Sequence, residues 1–315
     1  MNNPMVKYLF GPVPSRRFGR SLGIDLTPHK TCTLDCVFCQ LGRTTCKTRS
    51  RQPWVPVAEV IDEIDDWLDR DGEADYLTLS GSGEPTLHSE FGRVLAHLQD
   101  KPIPSVLLTN GSLLHEPAVR EAAALADVVK ISLSAWDQKS FEWVNRPHPG
   151  IDFDTMLTGM EAFRKMFKGE LWLEVFLLSG INDDARDVGR IATLAKRLAP
   201  SRIHLNTIAR PPAETFAVAV PPAKLAALAD LFDPPAVIAA SSQIVPTRRT
   251  MAGTADILAM LKRRPCTTDQ IKAAFGMHIN EISKILSMLI NEKRILADLK
   301  GEDVYYTLTP DGRKG

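Results

Sequence analysis

Short apolar runs alternate with amphipathic segments along the first two-thirds of the chain. The runs are nearly continuous in hydrophobic residues, which is the pattern of strands covered on both faces. We expect six such strands, in the segments SLGIDL from Ser21, YLTLS from Tyr76, SVLLT from Ser105, VVKIS from Val128, LWLEVFLL from Leu171 and RIHLN from Arg202. The clearest helix between them follows Pro56 and carries an apolar stripe of Val57, Val60, Ile61, Ile64, Trp67 and Leu68.

The repeated order of strand and helix predicts an α/β fold with a parallel sheet, either open or curled into a partial barrel. Glycine and polar residues follow every predicted strand directly. These segments are the loop from Thr31, GSGEPTL from Gly81, NGS from Asn110, SLSAWD from Ser132, SGINDD from Ser179 and NTIARPP from Asn206. Because such folds build their sites at the carboxyl ends of the strands, we expect these segments to form one functional rim.

The C-terminal fifth of the chain has a different pattern. Residues 236–253 are rich in Pro, Ala and Ser without periodicity, which is typical of a linker. Three helical patterns follow, and then two strand patterns around Gly301, in the outline of a small winged helix. We therefore predict a core domain at 1–235, a linker at 236–253 and a winged helix-turn-helix domain at 254–315.

Charge leaves the partner of this C-terminal domain open. From Thr254 onward the chain has ten Lys and Arg residues against eight Asp and Glu, a difference of +2. A protein that relies on neutralising phosphates usually shows more clustering of basic residues. Nucleic acid, a protein or substrate surface, and a second copy of the chain all remain candidate partners.

The whole chain has the composition of a globular protein. Of its 315 residues 44% are hydrophobic and 24% charged, and the formal net charge of +0 gives no argument for nucleic acid or membrane as a partner. MNNPMVKYLF at the start has no signal-peptide pattern, and LWLEVFLL is too short to span a bilayer. Three of the five cysteines are clustered, which does not suggest a disulfide framework. We expect a cytoplasmic protein with no membrane partner.

Cys32, Cys36 and Cys39 stand in the loop after the first predicted strand, spaced C-x3-C-x2-C. Thiolates hold iron–sulfur clusters, and a 4Fe–4S cube bound by three of them keeps one iron open for a small molecule. Structural zinc needs four ligands, and Cys46 or His29 could supply the fourth. A disulfide is the third alternative, and a reducing compartment argues against it. The cysteines alone leave cluster and zinc open.

The cysteine spacing, with Phe38 directly before the last cysteine, resembles the signature of the radical SAM enzymes. This resemblance implies a partial (βα)6 barrel of TIM type, the same architecture that the strand pattern indicates independently. It also implies two cofactors, a 4Fe–4S cluster held by Cys32, Cys36 and Cys39, and S-adenosylmethionine, which is cleaved reductively to a 5′-deoxyadenosyl radical. An external electron donor of the flavodoxin or ferredoxin type is implied as well.

The resemblance extends to the residues that bind the cosubstrate. GSGEP is similar to the family's glycine–glutamate motif, whose edge binds the methionine amino group, although Ser82 stands between the two glycines. Ser132 stands where related enzymes contact the ribose or carboxylate, and a Ser or Asn at a strand end is about equally often a local cap. We expect cofactor-binding roles for Phe38, Gly81, Gly83, Glu84, Asn110, Ser132 and Asn206.

Residues 10–45 resemble more specifically the radical SAM group related to the wyosine-base synthases of tRNA. The segment is basic near the cysteines, with Arg16, Arg17, Arg20 and Arg43. These arginines would suit an anionic substrate, or they pair with acidic helices. Cys266, far from the cluster loop, is expected to be a buried apolar cysteine.

Two functions from different classes follow. The first is a radical SAM enzyme that abstracts hydrogen from an unidentified substrate, with RNA or tRNA modification among the candidate reactions. The second is a metal- or redox-responsive regulator that senses through its cysteine loop and binds DNA through the winged helix. The rim built by all six strands favours the enzyme, because a sensor has no need of it. No catalytic side chain beyond the cofactor ligands is predicted.

Overall fold

The computed structural model describes residues 8–15, 19–70, 72–238, 253–301 and 303–309. The strands are β1 Leu9–Ser15, β2 Gly19–Ile24, β3 Thr31–Cys32, β4 Cys46–Lys47, β5 Tyr76–Leu79, β6 Ser105–Thr109, β7 Val128–Ser132, β8 Glu170–Phe176, β9 Arg202–Asn206, β10 Val237–Ile238, β11 Ile295–Lys300 and β12 Asp303–Leu308. The helices are α1 Val57–Asp69, α2 Phe91–Leu98, α3 Pro117–Ala123, α4 Gln138–Asn145, α5 Phe153–Met166, α6 Ala185–Leu198, α7 Pro222–Ala229, α8 Thr254–Arg263, α9 Thr268–Phe275 and α10 Ile279–Asn291.

One eight-stranded sheet organises the first 238 residues, in the order β1-β2-β5-β6-β7-β8-β9-β10. The six predicted strands are confirmed as its central members, β2 and β5 to β9, and they pair in parallel with one another. Two edge strands were not predicted. β1 pairs antiparallel with β2, and β10 pairs parallel with β9.

The strand β10 changes the predicted linker. Val237 and Ile238, which fall within the linker predicted at 236–253, pair with His204 and Leu205 of β9 and extend the core sheet. Two residues are too few for a strand pattern to stand out from a stretch rich in Pro and Ala. Residues 239–252 of the predicted linker lie outside the described residues, and the domain boundaries stay a prediction.

The main core lies between the sheet and its helices. Helix α1 shows how the sequence builds it, because Val57, Val60 and Ile64 repeat at helical spacing and are almost completely buried. The opposite face of the sheet holds a smaller apolar cluster of Val106, Val128 and Trp172. Alternation along β8 places Glu174 and Phe176 on the same face as Trp172.

The C-terminal segment forms α8, α9 and α10 followed by the antiparallel pair β11–β12. A capping box between Thr267 and Gln270 begins α9, and Gly276 (φ +63°) and Gly301 (φ +62°) take the left-handed conformations that end α9 and turn the hairpin. The winged-helix prediction rests on this order of elements. That the segment is a winged-helix domain, and what it binds, stay predictions. Its core includes Val13 of β1, so the C-terminal unit packs against the edge of the large sheet.

The structure also bears on the membrane prediction. Within the part of the chain that the structure describes, no helix combines the length and the apolar character needed to cross a bilayer.

Candidate functional site

The loop that carries the three cysteines is fixed between the end of β2 and the end of α4. The backbone N–H groups of Asp35 and Val37 donate to the carbonyls of Asn145 and Val144, both at 3.0 Å. The N–H of Cys39 donates to the carbonyl of Cys36 at 3.1 Å and forms a tight turn. These bonds place the cysteines at the carboxyl-end rim, as the sequence predicts.

Each of the three cysteine sulfurs accepts a hydrogen bond from a side-chain N–H group. Nζ of Lys30 lies 3.2 Å from Sγ of Cys39, Nδ2 of Asn145 lies 3.2 Å from Sγ of Cys36, and Nδ2 of Asn110 lies 3.5 Å from Sγ of Cys32. Hydrogen bonds to sulfur stabilise thiolates and tune the potential of iron–sulfur clusters. Sequence reasoning missed Lys30 and Asn145 entirely.

Cys32 and Cys36 are poor thiolates on their own. Burial raises the pKa of Cys32 to about 12, with the nearby Glu84 carboxylate adding to the rise. Burial also raises the pKa of Cys36, and the neighbouring Cys32 adds to it. Three adjacent thiolates therefore require a positive group that binds them, because metal ions deprotonate the thiols that coordinate them.

The geometry distinguishes a cluster from a single zinc ion. Among the described residues no three Cys, His, Asp or Glu side chains converge on a position where one ion could bind. Of the two candidate fourth ligands, Cys46 and His29, neither belongs to such a group in the described part of the chain, and Cys46 is exposed. A 4Fe–4S cube binds each thiolate through a different iron, so its ligands need not converge on one point. The cysteine set therefore fits a cube better than zinc.

Glu84 lies beside this loop as a buried carboxylate with an ordered set of donors. Its side chain is 3% exposed. Its Oε1 accepts from Oγ1 of Thr109 at 2.6 Å and from Oγ1 of Thr86 at 2.7 Å, and its Oε2 accepts from the N–H of Asn110 at 2.8 Å. Burial nevertheless raises the pKa of Glu84. No Lys or Arg of the described segments forms an ion pair with it, so a cation from a ligand would complete the site.

The glycines of GSGEP lie in close contact with neighbouring parts of the chain. A Cβ on Gly83 would lie 2.0 Å from the carbonyl oxygen of Thr31, and one on Gly81 (φ +142°) would lie 2.5 Å from Cγ of Asp25. The glycines therefore let this loop pack directly against the cysteine loop, which the bond from the N–H of Glu84 to the carbonyl of Thr31 (3.0 Å) fastens.

Four of the predicted site residues line one small cavity of about 60 Å³: Cys36, Phe38, Asn110 and Ser132. Ring stacking on Phe176, with centroids 4.2 Å apart, holds Phe38 against the end of β8. The side chain of Asn110 also has a local role, because its Nδ2 donates to Thr33 and its Oδ1 accepts from the N–H of Ser112. The cavity is much smaller than the roughly 300 Å³ or more of a typical ligand site. It shows that the four residues lie next to one another.

Asn206, the last of the predicted site residues, belongs to a polar cluster with Glu174 and Lys130. Its Nδ2 donates to Oε1 of Glu174 at 2.9 Å, and Nζ of Lys130 lies 2.9 Å from the same oxygen. Lys130 and Asn206 are both 6% exposed. Oδ1 of Asn206 is buried, and none of the described residues donates a hydrogen bond to it. A buried acceptor left in this way is expected to bind water or a ligand.

The predicted basic neighbourhood is partly paired with acidic residues. Arg20 pairs with Glu73 at 3.1 Å, whereas Arg43 shares the carboxylate of Glu214 with Arg146. One carboxylate between two arginines leaves a positive charge beside the cysteine loop. Arg16 and Arg17 lie outside the described residues. Cys266 is fully buried in the C-terminal core, as expected.

Several known proteins are similar in sequence to this chain over most of its length. The chain is 35% identical to a GTPase Obg of Brachyspira hyodysenteriae over 93% of the chain, but it spans only 44% of that protein. It is 38% identical to a UPF0026 protein of Methanocaldococcus jannaschii, of which it covers 65%, and 32% identical to a UPF0026 protein of Helicobacter pylori, of which it covers 98%. No lysine of this chain follows a glycine, so the phosphate-binding P-loop pattern is absent from its sequence.

The fold is also found in a solved structure described as TYW1 with a lysine–pyruvate adduct bound. The match has a TM-score of 0.53 at 18% identity, covering 75% of this chain and 78% of that one. It confirms the predicted α/β fold class, a partial (βα)6 barrel.

Residues 26–191, which include the three cysteines and Glu84, match the model of the Radical SAM superfamily. Members of that superfamily use a 4Fe–4S cluster and S-adenosylmethionine, in agreement with the cofactor prediction. The chain belongs to the Radical SAM superfamily and to the same family as the UPF0026 proteins.

Proposed function

We propose that this protein is a radical SAM enzyme in which Cys32, Cys36 and Cys39 hold a 4Fe–4S cluster. When bound, the cluster supplies the electron that cleaves S-adenosylmethionine to a 5′-deoxyadenosyl radical, which abstracts hydrogen from the substrate. The chain's own contribution is to hold the cosubstrate in one orientation and to exclude water from the rim. The proposal rests on the cysteine loop and on the acidic group beside it.

The burial of the Glu84 carboxylate is the single observation that supports the proposal most strongly. A carboxylate that is 3% exposed and has a pKa raised by burial is costly to keep ionised unless a cation reaches it. The ammonium group of the methionine moiety is such a cation. Glu84 lies close enough to Cys32 to raise the pKa of that thiol. A ligand that binds both the open iron and Glu84 therefore needs an amino group near its metal-binding atoms, which S-adenosylmethionine has.

The remaining predicted residues receive roles that agree with their positions. Phe38, fixed by its stack on Phe176, provides an apolar wall beside the cluster loop. Ser132 and Asn206 stand at the ends of β7 and β9 and offer polar contacts for the rest of the cosubstrate. Asn110 fastens the cluster loop through Thr33 and donates its backbone N–H to Glu84.

The substrate is proposed only as a class. It enters the barrel opening at the strand ends, and RNA, including tRNA, is one candidate because the sequence resembles the group related to the wyosine-base synthases. The electron comes from an external flavodoxin or ferredoxin type of donor. The C-terminal helices and hairpin are proposed to dock the substrate or a partner, and nucleic acid is one such partner.

The test begins with the protein purified without oxygen and its iron, sulfide and zinc measured per chain. We expect about four irons and four sulfides, the content of one cube. Dithionite and S-adenosylmethionine are then added, and 5′-deoxyadenosine and methionine are quantified by chromatography. A colourless zinc protein that leaves S-adenosylmethionine intact would instead support the winged-helix regulator.

A further inference from the structure

A buried ion pair joins the C-terminal unit to the core. Arg263, the last residue of α8, places its Nε 3.0 Å from Oδ2 of Asp25, which follows β2. Both side chains are only 7% exposed, although 238 positions separate them in sequence. Nη1 of Arg263 also donates to the carbonyl of Ala259 at 3.0 Å, and the guanidinium lies over the ring of Phe10 at 4.5 Å. The guanidinium is thus held in one position.

Asp25 in turn binds residues 81–84, the glycine loop, which we propose contacts S-adenosylmethionine. Its Oδ1 accepts from the N–H of Ser82 at 3.0 Å, and its Oδ2 accepts from Oγ of Ser82 at 2.5 Å. The left-handed Gly81 lies directly against the Asp25 carboxylate, which leaves no room for a side chain there. Oδ2 therefore accepts from the loop and from the C-terminal unit at the same time.

Ser82 passes this constraint on to the cluster loop. Its carbonyl accepts from the N–H of Lys30 at 2.6 Å, and two residues later the N–H of Glu84 donates to the carbonyl of Thr31 at 3.0 Å. Ser82 and Glu84 belong to the same loop, and Asp25 fixes this loop at Ser82. The orientation of the Glu84 carboxylate therefore depends on Asp25. Hydrogen bonds, together with the short backbone segments between them, therefore connect Arg263 to Glu84, the residue proposed to bind the amino group.

We propose that Arg263 is a positioning residue for S-adenosylmethionine, through which the C-terminal unit sets the conformation of residues 81–84. A buried carboxylate needs a counter-charge to remain a fixed acceptor. Without Arg263, the buried Asp25 carboxylate loses the donor that fixes it, and the two bonds that hold Ser82 weaken. The inference rests on the proposed function, since it assumes that these residues bind the cosubstrate.

A second contact keeps the C-terminal unit in place when Arg263 is changed. The hydroxyl of Tyr305 in β12 donates to the carbonyl of Ala209, in the loop after β9, at 3.2 Å. Apolar packing against Val13 of β1 adds to this contact. Replacing Arg263 is therefore expected to loosen the glycine loop without releasing the unit.

The experiment measures binding of S-adenosylmethionine by equilibrium dialysis to the anaerobically reconstituted full chain. Arg263→Met is compared with wild type, with Arg263→Lys and with the neighbouring Arg264→Met as a matched control. We expect Arg263→Met to raise Kd about fivefold or more while iron content stays at the wild-type level. Arg263→Lys, which keeps the charge, should recover part of the loss, and Arg264→Met should bind as wild type does.

A double-mutant cycle separates positioning from general damage. If Arg263 acts through the loop, its replacement costs less affinity in a Ser82→Ala background than in wild type. If Arg263→Met does not assemble a cluster, the same cycle with Arg263→Lys decides. Unchanged affinity in the Arg263 variants, or equal losses in both backgrounds, would overturn the inference. Failure of the wild type to bind S-adenosylmethionine would instead overturn the proposed function.

Discussion

Lys30 and Cys39 are in direct contact, with the ammonium Nζ 3.2 Å from Sγ. The lysine is only 3% exposed, and its left-handed backbone (φ +59°) directs the chain from the end of β2 into the cysteine loop. If Cys39 holds the cluster as proposed, a buried lysine beside it would stabilise the extra negative charge of the reduced cluster. Lys30 would then favour the state that must form before the cosubstrate is cleaved.

We expect Lys30→Met to lower the reduction potential of the bound cluster by roughly 60 mV or more, which is a tenfold change in a one-electron equilibrium. The measurement is a redox titration followed by electron paramagnetic resonance. Lys47→Met is the control, because Nζ of Lys47 donates to the backbone carbonyls of Arg146 and Pro147. Equal potentials in wild type and Lys30→Met would show that the contact has no electrostatic role.

Glu84→Gln tests the proposed contact with the amino group. The substitution keeps the size and some of the acceptors but removes the charge, so Kd for S-adenosylmethionine should rise about tenfold or more. Iron content should not change, because Glu84 is not assigned as a ligand. Glu90→Gln, at an exposed glutamate that pairs with Arg93, is the matched control and should bind normally. Binding by Glu84→Gln at wild-type affinity would exclude the assignment.

The close approach of Gly83 to the cysteine loop predicts a cost in stability. A Cβ at this position would lie 2.0 Å from the carbonyl oxygen of Thr31, so the backbone must move. We expect Gly83→Ala to lower the free energy of unfolding by about 1–3 kcal/mol. Gly189→Ala, in α6 with no neighbouring atom within 4 Å, should instead stabilise by about 0.5–1 kcal/mol. Urea unfolding compares them, and equal stability of the two variants would contradict the packing.

Because His88 is buried, we expect the stability of the folded protein to depend on pH. Its Nε2–H donates to the carbonyl of Val55 at 2.9 Å and its Nδ1 accepts from the N–H of Glu90 at 3.1 Å, so the neutral ring is the form that fits. Burial lowers the pKa of His88 below its usual 6.5. Below pH 6.5 the unfolded chain binds the proton more readily than the folded chain, so stability is lost as the pH falls.

The measurement is urea unfolding of wild type and His88→Gln at pH 7.5 and pH 5.5. The wild type should lose more stability between these two values than the variant does. The comparison between the two pH values cancels any constant cost of the substitution. A loss of the same size in both proteins would assign the pH dependence to other groups.

The six central strands and the rim could be predicted because their signals are local. Apolar runs, glycines and polar residues at strand ends lie within a few positions of one another in the sequence. Strand β1 was missed because Pro12 and Pro14 argue against a strand, although an edge strand tolerates proline. Strand β10 was missed because it has only two residues.

The parts of the candidate site that were missed are formed by contacts between distant positions. Asn145 reaches Cys36 across 109 positions, and Arg263 reaches Asp25 across 238. No spacing rule connects such pairs in a single sequence. Lys30 stands only two residues before Cys32, yet nothing local distinguishes a buried lysine from an exposed one. The packing of Gly83 against Thr31 could not be predicted either, because it joins two loops that are far apart in the sequence.

The most direct test of the central claim compares reductive cleavage of S-adenosylmethionine by the reconstituted wild type, Cys36→Ala and Cys46→Ala. Each protein receives dithionite and the cosubstrate without oxygen, and 5′-deoxyadenosine is measured together with bound iron. We expect product and a full cluster in the wild type and in Cys46→Ala, and neither in Cys36→Ala. Equal loss in the two variants, or a wild type that holds iron and sulfide but forms no 5′-deoxyadenosine, would contradict it.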